Sequence, residues 1–415
     1  MTLPLLLGSL WALFLLGVYL KLPHFLPQEG ISARRAWLIV GAVALSARLA
    51  PNLVLPVGAG YDIESYQIVG DLVLRGEEVY ASPATANRHP YLPLQMYWMA
   101  VARWGAAAIH LPFVKIVRLA PIGADVGIAL LLFLSLRRFG SPQAAFYGGL
   151  SYALNPIPTF VSAYHGQFDA IPALCTLLAL YWLDESPLAA GGWLGLGILN
   201  KSWPVLAFPS LLMGTQGWWK RLLLLGATLA VPLVGVGVYV NAFGANPKAV
   251  LERALGYNWG VGIWGYTYFF RMLSVVRPDL AVLFRWLIRY GRYLTLAALG
   301  LVWLVRARKE PPGAGVLTIL VAFFAVTHAF SIQYLVWVVP FAILNQEYRW
   351  LTRYTLGAFA YMFLAYTTLI LEMHITQLLP WPQADWFIIM PAGLPAWLVL
   401  IGWAGRRLLG KRIQM

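Results

Sequence analysis

Long apolar runs separated by short polar joints fill the chain. Runs able to cross or half-cross a bilayer, where a full crossing takes about 20 residues, fall at about 3–22, 36–57, 91–110, 112–136, 143–161, 169–183, 190–214, 222–242, 285–305, 315–330, 333–346, 354–374 and 387–404. The pattern predicts an all-α polytopic membrane protein with about 11–13 transmembrane or half-spanning helices. The first run, Leu3 to Leu20, has neither the basic start nor the small-residue cleavage site of a signal peptide, and reads as a mature span.

The breaks in this pattern carry the information. Residues 58–90 are a polar connection in which Ile63, Tyr66, Val69, Leu72 and Val73 recur at helical spacing. That predicts a short amphipathic helix lying on the membrane surface. Asp62 stands at or just before its start, where a carboxylate can cap free backbone N–H groups or be spared for chemistry. In 155–170, Pro156 and Pro158 interrupt a run ahead of Tyr164, His165, Gln167 and Asp169. Asn200, Lys201 and Ser202 sit in the middle of 190–214, and two half-helices meeting near Lys201 avoid burying a lysine at mid-span. Residues 243–280 form a second long loop rich in Tyr, Trp and Gly, carrying Tyr266, Arg271 and Arg277. A joint at 328–334 holds His328, Ser331, Gln333 and Tyr334.

Charge orients these breaks. Of the 16 acidic residues, Asp62, Glu64, Asp71, Glu77 and Glu78 fall in 58–90, whereas Arg34–Arg35, Arg137–Arg138, Arg306–Lys309, Arg349, Arg353 and Arg406–Arg412 mark the opposite face. Basic loops face the cytoplasm. The acidic, aromatic and histidine-bearing loops then face out, and one segment between 91 and 161 must be incomplete. Arg137–Arg138 on the inside makes 91–110 that segment and brings Lys115 and Arg118 near the outer face. Arg118 and Asp125 lie two turns apart on one helix face, either as an internal ion pair or with Arg118 kept for a phosphate. The net charge of +14 fits lipid contact and loop orientation, not nucleic acid. Cys175 is the only cysteine and the six histidines show no metal-ligand spacing, which argues against a thiolate cluster or a tight protein-only zinc site; no cofactor is expected, with a divalent metal the less favoured alternative.

A carboxylate at the membrane surface with cations on the same face suits transfer of a sugar from a lipid phosphate. The reaction needs a base for the acceptor hydroxyl and cations for the departing phosphate. Four stretches give this a family setting: YDIESY with LVLRGEEVY and RHPYLPLQMYW; VRLAPIGADVGIALLLFL; HGQFDAIPALCTLLALYWL with GLGILNKSWPVLAFP; and SIQYLVWVVPFAIL. In this order they resemble the GT-C superfamily of polyprenyl-phosphate-sugar-dependent glycosyltransferases, and most nearly the GPI-anchor-type mannosyltransferases and their bacterial relatives. The resemblance implies a GT-C-like fold. It also implies an inverting hexosyltransferase, mannose favoured, with Asp62 as general base and Glu64 beside it. Lys201, Arg118, Arg88, His89 and Arg271 are then the expected contacts of the donor phosphate. Tyr91, His165, Gln167, Asp169, Tyr266, Gln333 and Tyr334 are the expected substrate contacts.

The expected partners are a polyprenyl-phosphate sugar, a lipid-linked or glycan acceptor and membrane lipids. The expected place is the cytoplasmic membrane of a prokaryote, with the site extracytoplasmic. Residues 1–214 read as a catalytic module with outer loops 58–90 and 162–169, and 215–415 as a variable module of the same membrane-embedded domain. A transporter or flippase for lipid-linked sugars shares the broken helices and buried charges, but paired halves are missing. An O-antigen-ligase or polymerase type would not give this order of motifs.

Overall fold

A computed structural model describes residues 3–24, 31–256, 260–369 and 389–410. Residues 370–388, with His374 and the ends of two expected spans, lie outside the described residues, as do Lys411 and Arg412. The chain divides into two units, Met1–Tyr257 and Asn258–Met415.

The first unit runs through α1 (Leu3–Lys21), α2 (Ala33–Val54), α3 (Gly60–Leu74), α4 (Leu94–Ala108), α5 (Phe113–Val117), α6 (Leu119–Phe139), α7 (Pro142–Leu154) and α8 (Pro156–Thr159). It continues with α9 (Ala170–Trp182), α10 (Pro187–Asn200), α11 (Phe208–Gly214), α12 (Trp218–Phe243) and α13 (Pro247–Gly256). Among the described residues, four stretches are by length and composition long and apolar enough to cross a membrane: Leu6–His24, Ala33–Val54, Phe113–Arg138 and Trp218–Phe243. Shorter apolar helices accompany them at Ala170–Trp182, Trp203–Gly214, Pro312–Val326 and Ile332–Leu344. The protein is an integral membrane protein, and its described residues form helices and connecting loops with no strand, only one isolated bridge between Val261 and Ala329.

Segment 91–110 becomes the 15-residue α4, about 22 Å long at 1.5 Å per residue, against a hydrocarbon core of about 30 Å. Instead of standing alone it lies on α3. Ile63, Tyr66, Val69 and Leu72 of α3 join Met96, Met99 and Ala102 of α4, Phe113 and Val117 of α5, and Tyr239 of α12 in one core. The apolar stripe read from the sequence is thus the buried face of α3, covered by protein.

The lysine at 201 ends α10. After it a 3₁₀ turn (Trp203–Ala207) leads into the 7-residue α11, so 190–214 is a broken helix as its polar middle requires. On α10, Gly191 and Gly195 face α12 at close range. A Cβ at Gly191 would stand 2.4 Å from the Leu224 carbonyl oxygen and one at Gly195 2.9 Å from that of Thr228. Two small residues four apart let apolar helices approach backbone to backbone in lipid.

The second unit holds α14 (Gly265–Val276), α15 (Ala281–Val305), α16 (Pro312–Val326), α17 (Val338–Leu344), α18 (Tyr348–Leu369) and a final helix, Leu394–Leu409. The stretch 243–280, expected as a loop, contains α13 and α14. The Gly- and Trp-rich run 256–265 between them makes the stretch read as a loop, although α13 carries a Lys248–Glu252 pair at i,i+4. The joint between α16 and α17 falls where it is expected, with Trp264 stacked on Phe330 at 4.1 Å beneath it.

Candidate active site

Asp62 lies in the first turn of α3, but it is not the cap. Ala59 occupies that position and its side chain makes no capping bond. The Asp62 carboxylate turns to a segment about a hundred residues away. His165 Nε2 lies 2.6 Å from Oδ2, and Gln167 Nε2 donates to the same oxygen at 2.7 Å. Oδ1 takes no hydrogen bond among the described residues, and the side chain keeps 27% of its surface exposed. Burial pushes the carboxyl up, yet the bonds from His165 and Gln167 and the charge of Lys201 outweigh it. The net effect holds Asp62 below the usual carboxylate range.

The partners of Asp62 are delivered by an irregular stretch. Asn155 Oδ1 accepts from the Ile157 N–H at 3.0 Å and starts the short α8. A π-helical turn over Phe160–His165 follows, closed by Gly166 in the left-handed region at φ 91°. Only glycine fits there: a Cβ would also stand 2.9 Å from Ile63 Cδ1. The Ala59 N–H donates to the His165 carbonyl at 3.2 Å, so the entry to α3 is tied to the turn that carries its partner.

Asp169 and Lys201 stand beside this pair. Both are buried, and Lys201 Nζ donates to Oδ1 and Oδ2 of Asp169 at 2.9 and 2.8 Å. The ammonium also lies 5.3 Å from the ring centroids of Tyr91 and Phe168. Behind them Tyr91 meets His89 edge to face at 5.5 Å. His89 is enclosed, neither ring nitrogen has a partner among the described residues, and burial pushes its pKa down to about 3. It is a neutral imidazole.

The rim is more open. Glu64, 57% exposed, pairs with Arg88 at 3.1 Å. Arg88 also donates to Ser65 Oγ at 3.2 Å and lies 4.7 Å over the Tyr61 ring.

Arg118 does not pair with Asp125, which corrects that reading of their shared face. Its Nη2 donates to the Val57 carbonyl at 2.6 Å and to that of Tyr164, joining the entry of α3 to the π-helical turn. Its Nε and Nη1 are buried without acceptors among the described residues. Asp125 pairs instead with Arg48 of α2 at 2.8 Å and accepts from Tyr152 and Ser162 hydroxyls, each at 2.6 Å. Sequence reasoning passed over Arg48, although a lone arginine inside an apolar run is itself the signal for a buried charge partner. It also passed over Ser162, Phe168 and Ser65.

The structure therefore gathers Asp62, His165, Gln167, Arg118, Asp169, Lys201, Tyr91 and His89, with Glu64 and Arg88 at the rim. The remaining expected contacts belong to the second unit. Tyr266 donates to the Val326 carbonyl at 2.9 Å, Gln333 accepts from Ser331 at 2.6 Å, and Tyr334 stacks on Trp337 at 4.4 Å. Arg271 lies on α14. Among the described residues no three His, Cys, Asp or Glu side chains group so as to hold a metal.

Residues 101–331, more than half of the chain, match the model of glycosyltransferase family 87. The chain belongs to that family. Family 87 is of the GT-C type, so this helical membrane protein is a glycosyltransferase. The matched span contains the π-helical turn, Asp169 and Lys201, while Asp62, Glu64, Arg88, His89 and Tyr91 precede it. The chain is also similar to a crystal structure of ArnT from Cupriavidus metallidurans bound to undecaprenyl phosphate. Identity is 16%, the TM-score 0.47, and the match covers 91% of this chain and 77% of that one. No curated protein matches.

Proposed function

We propose that this family 87 glycosyltransferase moves a hexose, mannose being favoured by the motif resemblance, from a polyprenyl-phosphate sugar to a lipid-linked or glycan acceptor. The reaction inverts the anomeric centre and takes place on the extracytoplasmic side. The observation that carries the reading is the Asp62 carboxylate: bonded on Oδ2 only, and partly open to solvent.

In this mechanism the acceptor hydroxyl lies on Asp62 Oδ1. Its oxygen attacks the anomeric carbon from the face opposite the phosphate while its proton passes to Asp62. The bond from the anomeric carbon to the phosphate oxygen breaks, and its electron pair leaves with the polyprenyl phosphate. His165 and Gln167 fix the rotamer of the base. Glu64 holds Arg88 at the rim, where an exposed ion pair can exchange its carboxylate for a phosphate at little cost.

Arg118 has two buried donors to spare, and an unsatisfied donor costs about 1–3 kcal/mol, so a phosphate oxygen reaching it would be well bound. Lys201 acts through its field, its ammonium being shared with Asp169 and the Tyr91 and Phe168 rings. His89 enters as a neutral N–H donor. No metal takes part, because the nearby carboxylates are directed to separate partners: Asp62 to His165 and Gln167, Glu64 to Arg88, Asp169 to Lys201.

The test is donor choice and stereochemistry with the purified full-length chain. Transfer from polyprenyl-phosphate mannose with inversion, unaffected by EDTA, is expected. Transfer from a nucleotide sugar but not from the lipid donor, or retention of configuration, would refute the reading.

A further inference from the structure

The second unit holds a cavity of about 690 Å³ at one end of its helices, lined by none of the candidate site residues. Its lining includes the cations Arg306, Lys309, Arg406 and Arg407, against two carboxylates, Glu310 and Glu347. Cations at this end have an ordinary reason: α15, α17 and the final helix all finish there, and helix C-termini favour positive charge. That reason leaves a surplus.

Both carboxylates are fully engaged on the wall. Glu310 Oε1 accepts from Arg306 at 2.8 Å, and its Oε2 accepts from Thr318 and from Arg407 at 3.3 Å. Glu347 Oε1 accepts from Arg407, and its Oε2 from the Trp403 indole N–H. Arg407 spends its remaining donors on Thr318 Oγ1 at 2.7 Å and the Ala314 carbonyl at 2.9 Å. Every charge on the inner wall is thereby matched.

Lys309 and Arg406 are not. Among the described residues neither forms an ion pair, and Arg406 only lies 6.0 Å from the Trp350 ring centroid. A rigid, internally neutralised wall thus presents two uncommitted cations to a cavity large enough for a substituted phosphate.

We propose that this cavity is an anion site for a phosphate group, taken from the headgroup of an acidic phospholipid. On the orientation argued from the basic loops this end faces the cytoplasmic leaflet, whose anionic lipids attract such clusters. The bound headgroup anchors the end of the second unit to that leaflet. A soluble phosphate would satisfy the same two cations, and the experiment separates the two sources.

The full-length protein in detergent is incubated with dioleoyl phosphatidylglycerol or dioleoyl phosphatidylcholine, and retained lipid is counted by native mass spectrometry. Wild type is expected to retain phosphatidylglycerol preferentially. The double variant Lys309→Gln/Arg406→Gln should lower that retention about thirtyfold, from the loss of two cations near the phosphate at about 1 kcal/mol each. Arg308→Gln, an equal kind of charge loss one residue outside the lining, should keep it, as should the charge-conserving Lys309→Arg/Arg406→Lys. In a parallel arm, inorganic phosphate is titrated while thermal unfolding is followed. Stabilisation of wild type but not of the glutamine variant, without a lipid preference, assigns the site to a soluble phosphate. No preference and no stabilisation, equal loss in Arg308→Gln, or loss in the charge-conserving variant would overturn the proposal.

Discussion

At the scale of single residues, the centre of the account is a carboxylate whose environment is set by a distant segment. Asp62 stands out in the sequence as an acid in a membrane-facing loop. Its partners could be seen as a polar cluster, His165 with Gln167, but the pairing could not, because a π-helical turn and a left-handed glycine decide which way they point. Arg48 was missed for a related reason: the charge of Asp125 suggested a partner on its own helix, and the true partner comes from another.

A base works only when ionised, and a lowered pKa keeps Asp62 ionised to lower pH. On the proposed mechanism the acid limb is expected below the usual carboxylate range, with activity lost as pH falls through it. Gln167→Leu removes one of the hydrogen bonds that hold the pKa down, so the acid limb of the kcat–pH profile should move up. An unmoved limb would mean that Gln167 does not bond the ionised form. Asp125→Asn leaves the fully buried Arg48 uncompensated, a change that costs about 3–5 kcal/mol for a buried pair. Thermal unfolding of the purified variant should show a marked drop in midpoint.

Among elements, periodicity was most readable where one face was buried. The stripe Ile63, Tyr66, Val69 and Leu72 marks α3 and its inner face, although what covers that face is protein, from α4, α5 and α12, where the membrane surface was expected. The interruption at Lys201 was legible because a mid-span lysine has few physical solutions. Helices α13 and α14 each carry a helical apolar period of their own, but the Gly- and Trp-rich run between them, 256–265, made the whole stretch read as a loop. The close approach of α10 and α12 rests on two glycines with no cue in hydropathy. Gly191→Leu would drive a side chain into the Leu224 carbonyl, and overpacking of this kind costs about 1–3 kcal/mol. A lowered unfolding midpoint with normal insertion would check this, and an unchanged midpoint would show that α12 yields freely.

For the whole molecule, orientation is the property that the sequence argues through its basic joints and that function depends on. The chain's single cysteine, Cys175, is 4% exposed, so one introduced cysteine can be labelled with little background. A cysteine replacing Glu77 should react with an impermeant maleimide added outside intact cells. One replacing Arg308 should react only after the membrane is opened. Labelling of both from the same side would contradict the orientation on which the extracytoplasmic site rests.

In the proposed mechanism Asp62 takes the acceptor proton. That role is tested most directly by the rate of hexose transfer from a radiolabelled polyprenyl-phosphate hexose by Asp62→Asn, alongside wild type of matched thermal stability. Loss of a general base typically costs about 10²–10⁴-fold, and a fall in kcat of that order with little change in donor KM is the expected result. Transfer at the wild-type rate would contradict the account.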